Sequence, residues 1–128
     1  MTTSLDLNVS MPELTRTLLD IYSVSGEEKT IADVVYEALS AYPHLHLTRD
    51  GDAMIARTEF GPRNGEERTR ILLAGHLDTV PLPTVAGSLG TVPARIVEDN
   101  GDWILYGRGA TDMKGGVAVQ LKLAAELG

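Results

Sequence analysis

The feature that most constrains this chain is Ile71-Leu72-Leu73-Ala74-Gly75, an apolar run without alternation that is closed by His76-Leu77-Asp78. A strand with one wet face alternates apolar and polar side chains, so this run predicts an interior strand covered on both faces by helices. Open α/β sheets hold ligands at the carboxyl ends of their strands, and the run would deliver His76 to such a place.

The segments around it supply helices and hairpins. After a polar tail, Met1 to Ser10, the sequence combines an N-cap serine (Ser10), an early proline (Pro12) and a first-turn acid (Glu13). Leu14, Leu18 and Ile21 follow at helical spacing. Ser25-Gly26-Glu27-Glu28 reads as a capping box, after which Ile31, Val34, Val35, Ala38, Leu39 and Tyr42 mark one apolar face that Pro43 ends. Leu45 and Leu47, the turn Asp50-Gly51 and the run Met54-Ile55-Ala56 predict a β-hairpin. Arg95 to Glu98, Asn100-Gly101 and Trp103 to Tyr106 predict another. Residues 59–69 form a polar loop, and the proline- and glycine-bearing stretch from Val80 to Pro93 is a long irregular connection expected near a site. Lys114 to Leu127 predicts a last helix with Val117, Leu121, Leu123 and Ala124 inward.

A chain of 128 residues fits one domain, burying roughly two-thirds of its unfolded surface. The expected class is α/β, a sheet flanked by helices. The net charge of -7 with no basic stripe argues against a nucleic-acid partner, and the 5% aromatic share argues against base-stacking surfaces. With no cysteine, neither a disulfide framework nor a thiolate metal site is available, so zinc would have to be held by histidine and carboxylate. No apolar run approaches the roughly 18 residues of a membrane span, and the first ten residues lack a signal-peptide pattern. The compartment expected from this is the cytoplasm.

Two motifs carry the chemistry. Residues i and i+2 of a strand point the same way, so Asp78 can reach His76, as a carboxylate that orients a metal-binding imidazole does. The competing reading is a satisfied strand-end histidine followed by an aspartate that caps a turn. The second motif is Gly107-Arg108-Gly109-Ala110-Thr111-Asp112-Met113-Lys114-Gly115-Gly116. Glycines before a helix suggest phosphate binding, but Asp112 stands where a dinucleotide fingerprint needs glycine. A P-loop would need glycine before Lys114 and serine or threonine after it. A carboxylate in that mouth attracts a cation, so Asp112 reads as a metal ligand, with an N-cap aspartate as the alternative. Gly115 and Gly116 would allow close backbone packing beneath it. Arg108 and Lys114 read as solvated or in a structural ion pair, and His44 and His46 as surface residues.

His76-Leu77-Asp78-Thr79-Val80-Pro81 followed by Tyr106 to Gly116 closely resembles the dinuclear zinc amidohydrolases, a family that includes desuccinylases, acetylornithine deacetylase, aminoacylase and glutamate carboxypeptidase. The resemblance extends over nearly the whole chain, including Ser23-Val24-Ser25-Gly26-Glu27. It implies that His76 binds one zinc, that Asp112 bridges two, that Asp78 has the catalytic role of orienting His76, and that the Asp112-Met113 bond is cis. It also implies a small N-acylated amino acid as substrate, an intact protein that is a homodimer, and zinc as the cofactor, with cobalt as an alternative metal.

Residues Leu105 to Ala118 resemble the desuccinylase branch most. That would make the reaction removal of succinate from N-succinyl-LL-2,6-diaminopimelate in lysine and diaminopimelate biosynthesis. The alternatives are a related N-acyl amino acid deacylase, a non-catalytic binding module and, last, a nucleotide-binding domain. In the family a Glu-Glu pair follows the bridging aspartate by a few tens of residues and supplies the general base and a ligand. The pair, the later ligands and the dimerisation domain are all missing here. Residues 1–128 are therefore expected to be the N-terminal portion of a catalytic domain, inactive alone.

Overall fold

The computed structural model describes residues 4–59 and 61–127. Helix α1 spans Met11–Asp20, α2 Lys29–Ser40 and α3 Gly115–Glu126. The strands are β1 His46–Asp50, β2 Ala53–Arg57, β3 Arg95–Asp99 and β4 Asp102–Tyr106.

Helix α1 starts as its sequence requires. The backbone N–H and the hydroxyl of Ser10 both donate to the Glu13 carboxylate, at 3.0 and 2.6 Å. The hydroxyl contact is the main reason that carboxyl lies below its ordinary pKa. Helix α2 begins differently from expectation. Its N-cap is Glu28, with no side-chain cap bond, and the Glu28 carboxylate instead accepts from the Gly26 N–H at 2.7 Å. The expected capping box does not form, because the Ser25 hydroxyl is turned away to Asp78.

The three helices pack by the faces that their periodicity marks. Leu14, Leu18, Ile31 and Ala118 are fully buried, and Ile21, Val35, Leu39, Val117 and Leu121 nearly so. In α3 the inward residues are Val117, Ala118 and Leu121, whereas Leu123 is partly exposed. The N-terminal segment is no free tail. Leu5 and Leu7 join the core, and the Leu7 carbonyl accepts from Lys122 Nζ at 3.0 Å; residues 1–3 lie outside the described residues.

Both hairpins form in the expected places, β1 with β2 around Gly51 and β3 with β4 around Asn100-Gly101, where φ is +51° and +88°. The first is fastened to α2 through Asp33, which lies 2.6 Å from both Lys29 Nζ and Arg49. Each hairpin is its own two-stranded antiparallel sheet, so helices and strands mix as an α/β chain should. The expected interior strand at 71–75 is absent. The segment has no strand assignment, and Ile71 and Leu72 are 79% and 84% exposed. The reason is the lack of ladder partners: no described strand pairs with it, and it is tied to α3 where the Ala74 carbonyl accepts from Gln120 Nε2 at 2.9 Å.

Because the helical core is closed around α1, Leu14→Ala should lower unfolding free energy by about 2–5 kcal/mol, the range for emptying a fully buried leucine site. Urea denaturation of the two chains measures it, and a loss under about 1 kcal/mol would mean the site collapses or is not core.

Candidate metal centre

His76 reaches the site from the end of the exposed run, and its environment is made by a short parallel bridge rather than by a sheet. Val24 pairs with Thr79. The Thr79 N–H donates to the Ser23 carbonyl at 2.8 Å, the Ser25 N–H to the Thr79 carbonyl at 3.0 Å, and the Ser23 hydroxyl to the Leu77 carbonyl at 2.8 Å. These bonds hold residues 77–79 against the chain that leaves α1.

Asp112 arrives from a wide turn. The Lys114 N–H donates to the Gly109 carbonyl at 2.8 Å and the Gly115 N–H to the Ala110 carbonyl, each across five residues. Within the turn Asp112 and Met113 leave helical geometry, and the bond between them is cis. Gly109 has φ +84°, and a Cβ there would lie 2.6 Å from Thr79 Cγ2, so only glycine lets the turn close onto the Thr79 segment. A Cβ at Gly115 would lie 2.8 Å from the Ala110 carbonyl, whereas Gly116 is less tightly held.

The two motifs meet at the imidazole. His76 Nε2 lies 2.9 Å from Asp112 Oδ1, and Nδ1 lies 3.1 Å from Asp78 Oδ1 and 3.2 Å from the Asp78 carbonyl. The hydrogen bond to Asp112 is the main influence raising the pKa of His76, with burial opposing it and the Asp78 carbonyl adding to the rise. The Ser25 hydroxyl on the other carboxylate oxygen is the main influence lowering that of Asp78. His76, Asp78, Thr79, Arg108, Gly109 and Asp112 all line one open cleft of about 320 Å³.

Lys114 is not solvated. It is 1% exposed, and its ammonium donates to the Leu18 and Ile21 carbonyls, both at 2.8 Å, at the end of α1, where the Leu18 carbonyl otherwise takes only the Ile21 N–H at 3.4 Å. Arg108 is half-buried, and its Nε is buried without a hydrogen-bond partner among the described residues. His44 Nε2 lies 2.8 Å from the Ala124 carbonyl, and His46 lies 3.9 Å from Glu59; neither approaches the cleft lining. Sequence reasoning missed Ser25, which it assigned to the capping box, and the burial of Lys114. A lysine two residues past a site aspartate, before a glycine pair, was the only available hint for the second.

An imidazole nitrogen and a carboxylate oxygen facing each other are donors that zinc takes, so the pair fits such an ion. Among the described residues no group of three or more His, Cys, Asp or Glu converges to hold a metal, one fewer protein ligand than a catalytic zinc has.

Burial pushes the Lys114 ammonium down to about 8 from its ordinary 10.5, with the Asp20 carboxylate opposing. Between those values the unfolded chain keeps a proton that the folded chain has released, so stability should rise with pH from about 8 to 10.5, with the full cost of the buried charge present below that range and none above it. Denaturation at a series of pH values checks it, with Lys114→Met expected to remove that slope.

Residues 72–128 match the model of peptidase family M20/M25/M40. The chain is 47% identical over 124 residues to a Mycobacterium tuberculosis protein named "Putative succinyl-diaminopimelate desuccinylase", covering 96% of this chain and 31% of that one. It is 40% identical over 116 residues to the succinyl-diaminopimelate desuccinylase of Corynebacterium glutamicum, covering 89% and 27%. With a Thermococcus kodakarensis protein named "Putative LysW-lysine/LysW-ornithine hydrolase" it shares 36% identity over 107 residues, covering 83% and 26%. The chain thus spans about a third or less of the length of these relatives.

Proposed function

We infer the function from the premise that, over residues 72–128, this chain belongs to peptidase family M20/M25/M40. The inferred reaction is metal-dependent hydrolysis of an amide, removing succinate from N-succinyl-LL-2,6-diaminopimelate. The observation that carries the metal chemistry is the pairing of His76 Nε2 with Asp112 Oδ1 at 2.9 Å, with Asp78 on the other ring nitrogen, and the substrate rests on the likeness to the two desuccinylases. His76 and Asp112 would hold zinc, and Asp112, 85% exposed at its side chain, has its second oxygen free for another ion. An ion held by these residues would supply a lowered pKa for bound water and polarisation of the amide carbonyl. Asp78 keeps the Nδ1 side of His76 occupied, so Nε2 is the nitrogen offered to a ligand. The open cleft beside Arg108 would admit the acylated amino acid.

Residues 1–128 read as the first portion of a catalytic domain. The exposed Ile71 and Leu72 support this, as does the span of about a third of the relatives' length. The general base and remaining ligands would come from the rest of such a protein, a cytoplasmic homodimer by the same reading, and the 128-residue chain by itself would not hydrolyse the substrate. A second reading, a related deacylase acting on another N-acylated amino acid, is favoured by the likeness to the Thermococcus protein, whose name gives a different acyl partner.

Expression of the complete reading frame with zinc tests the assignment. Succinate release from N-succinyl-LL-2,6-diaminopimelate should fall by about 10³-fold or more in Asp112→Ala, a loss of about 4 kcal/mol of transition-state stabilisation. Turnover of N-acetylornithine in its place would favour the second reading. Absence of zinc-dependent hydrolysis with either would leave a non-catalytic binding module. For the 128-residue chain, zinc-dependent cleavage abolished by His76→Ala would overturn the expected inactivity.

A further inference from the structure

We propose that Ser25 is a positioning residue, whose hydroxyl, by engaging Oδ2 of Asp78, leaves Oδ1 to hold His76 Nδ1 and so fixes the ring that turns Nε2 to Asp112. This deepens the metal reading given above and rests on it for its purpose, though not for its geometry.

A carboxylate in solvent rotates about its last torsion and offers either oxygen. Asp78 has 36% of its side chain exposed, and His76 45%, so packing alone does not lock either group. What distinguishes the two oxygens is the neighbour each meets: the Ser25 hydroxyl donates to Oδ2, while Oδ1 lies 3.1 Å from His76 Nδ1, which also lies in hydrogen-bond distance of the Asp78 carbonyl at 3.2 Å. The placement of Ser25 is built into the backbone. Its N–H donates to the Thr79 carbonyl at 3.0 Å while the Thr79 N–H donates to the Ser23 carbonyl at 2.8 Å, so Ser25 is held in register one residue from Asp78.

The helix that follows shows where that hydroxyl is not used. Ser25 with Glu28 three residues on is the sequence of a capping box, yet α2 has no side-chain cap bond and the Glu28 carboxylate turns to the Gly26 N–H at 2.7 Å. The serine is spent on Asp78 rather than on the helix. Groups that directly hold a metal ligand, as Asp78 does, change metal affinity by about 10- to 100-fold, and Ser25, one contact further out, is expected at the low end.

The test uses the 128-residue chain, Ser25→Ala and Ser25→Thr. Without metal, NMR follows solvent exchange of the His76 Nδ1 proton, with the Ser25 and Thr79 amides reporting the backbone bridge. Zinc affinity is measured separately by competition with a chelating dye. Expected in Ser25→Ala is Nδ1 exchange faster by about tenfold and zinc binding weaker by about tenfold, with the amides still protected and both properties restored by threonine, which keeps the hydroxyl.

Unchanged Nδ1 exchange in Ser25→Ala would overturn the proposal. So would faster Nδ1 exchange accompanied by loss of Ser25 and Thr79 amide protection, since the bridge and not the hydroxyl would then be the cause. If the unsubstituted chain, with two candidate ligands, binds no zinc, the zinc arm moves to the complete reading frame, where absence of binding would sink the metal reading, and the imidazole proton still decides the role of Ser25.

Discussion

The buried ammonium of Lys114 ties the candidate site to the core. A lysine out of water needs acceptors, and the end of a helix has carbonyls without partners; each answers the other in the bonds to Leu18 and Ile21. The same stretch of chain leaves α1 and, two residues on, bonds to Thr79 through Ser23. The end of α1 is therefore the common anchor of two motifs 36 residues apart, one fastened by a side chain and the other by the backbone. Leu14 and Leu18, fully buried, make that anchor rigid.

Charge explains why the site needs such an anchor. One imidazole stands between the carboxylates of Asp78 and Asp112, which an acidic chain with a net charge of -7 does little to neutralise. Two anions on one ring are a stable arrangement when a proton or a cation lies between them, and without either they repel. Gly109 closes the turn against Thr79, and the bridge to Ser23 keeps Thr79 from moving away. The arrangement holds ligand-type groups close where their own electrostatics would separate them.

Much of this was legible in the residues. Ser10, Pro12 and Glu13 announced α1, and the apolar period of α2 and the Asn-Gly and Asp-Gly turns announced their elements, because these signals are local and the structure satisfies them locally. Asp78 does lie against His76, though residues 76–78 are not the strand from which that spacing is argued. The failures were of another kind. Ser25 has two possible acceptors, and which one it meets depends on a partner 53 residues away. Lys114 reads from its sequence as solvated or ion-paired because lysine is rarely buried, and the exception depends on the Leu18 and Ile21 carbonyls that receive its ammonium. The run at 71–75 has the composition of an interior strand, but a strand is a property of a pair.

That unpaired run has a consequence for handling as well as for architecture. Ile71, Leu72 and Leu73 present apolar side chains beside backbone groups with no ladder bonds, which is the template that intermolecular β-pairing and aggregation use. Arg70, directly before it, is the charge that sequences set as a gatekeeper at such a run. Three consecutive exposed apolar residues thus give a second copy of this chain a place to pair, which a burying partner element would close.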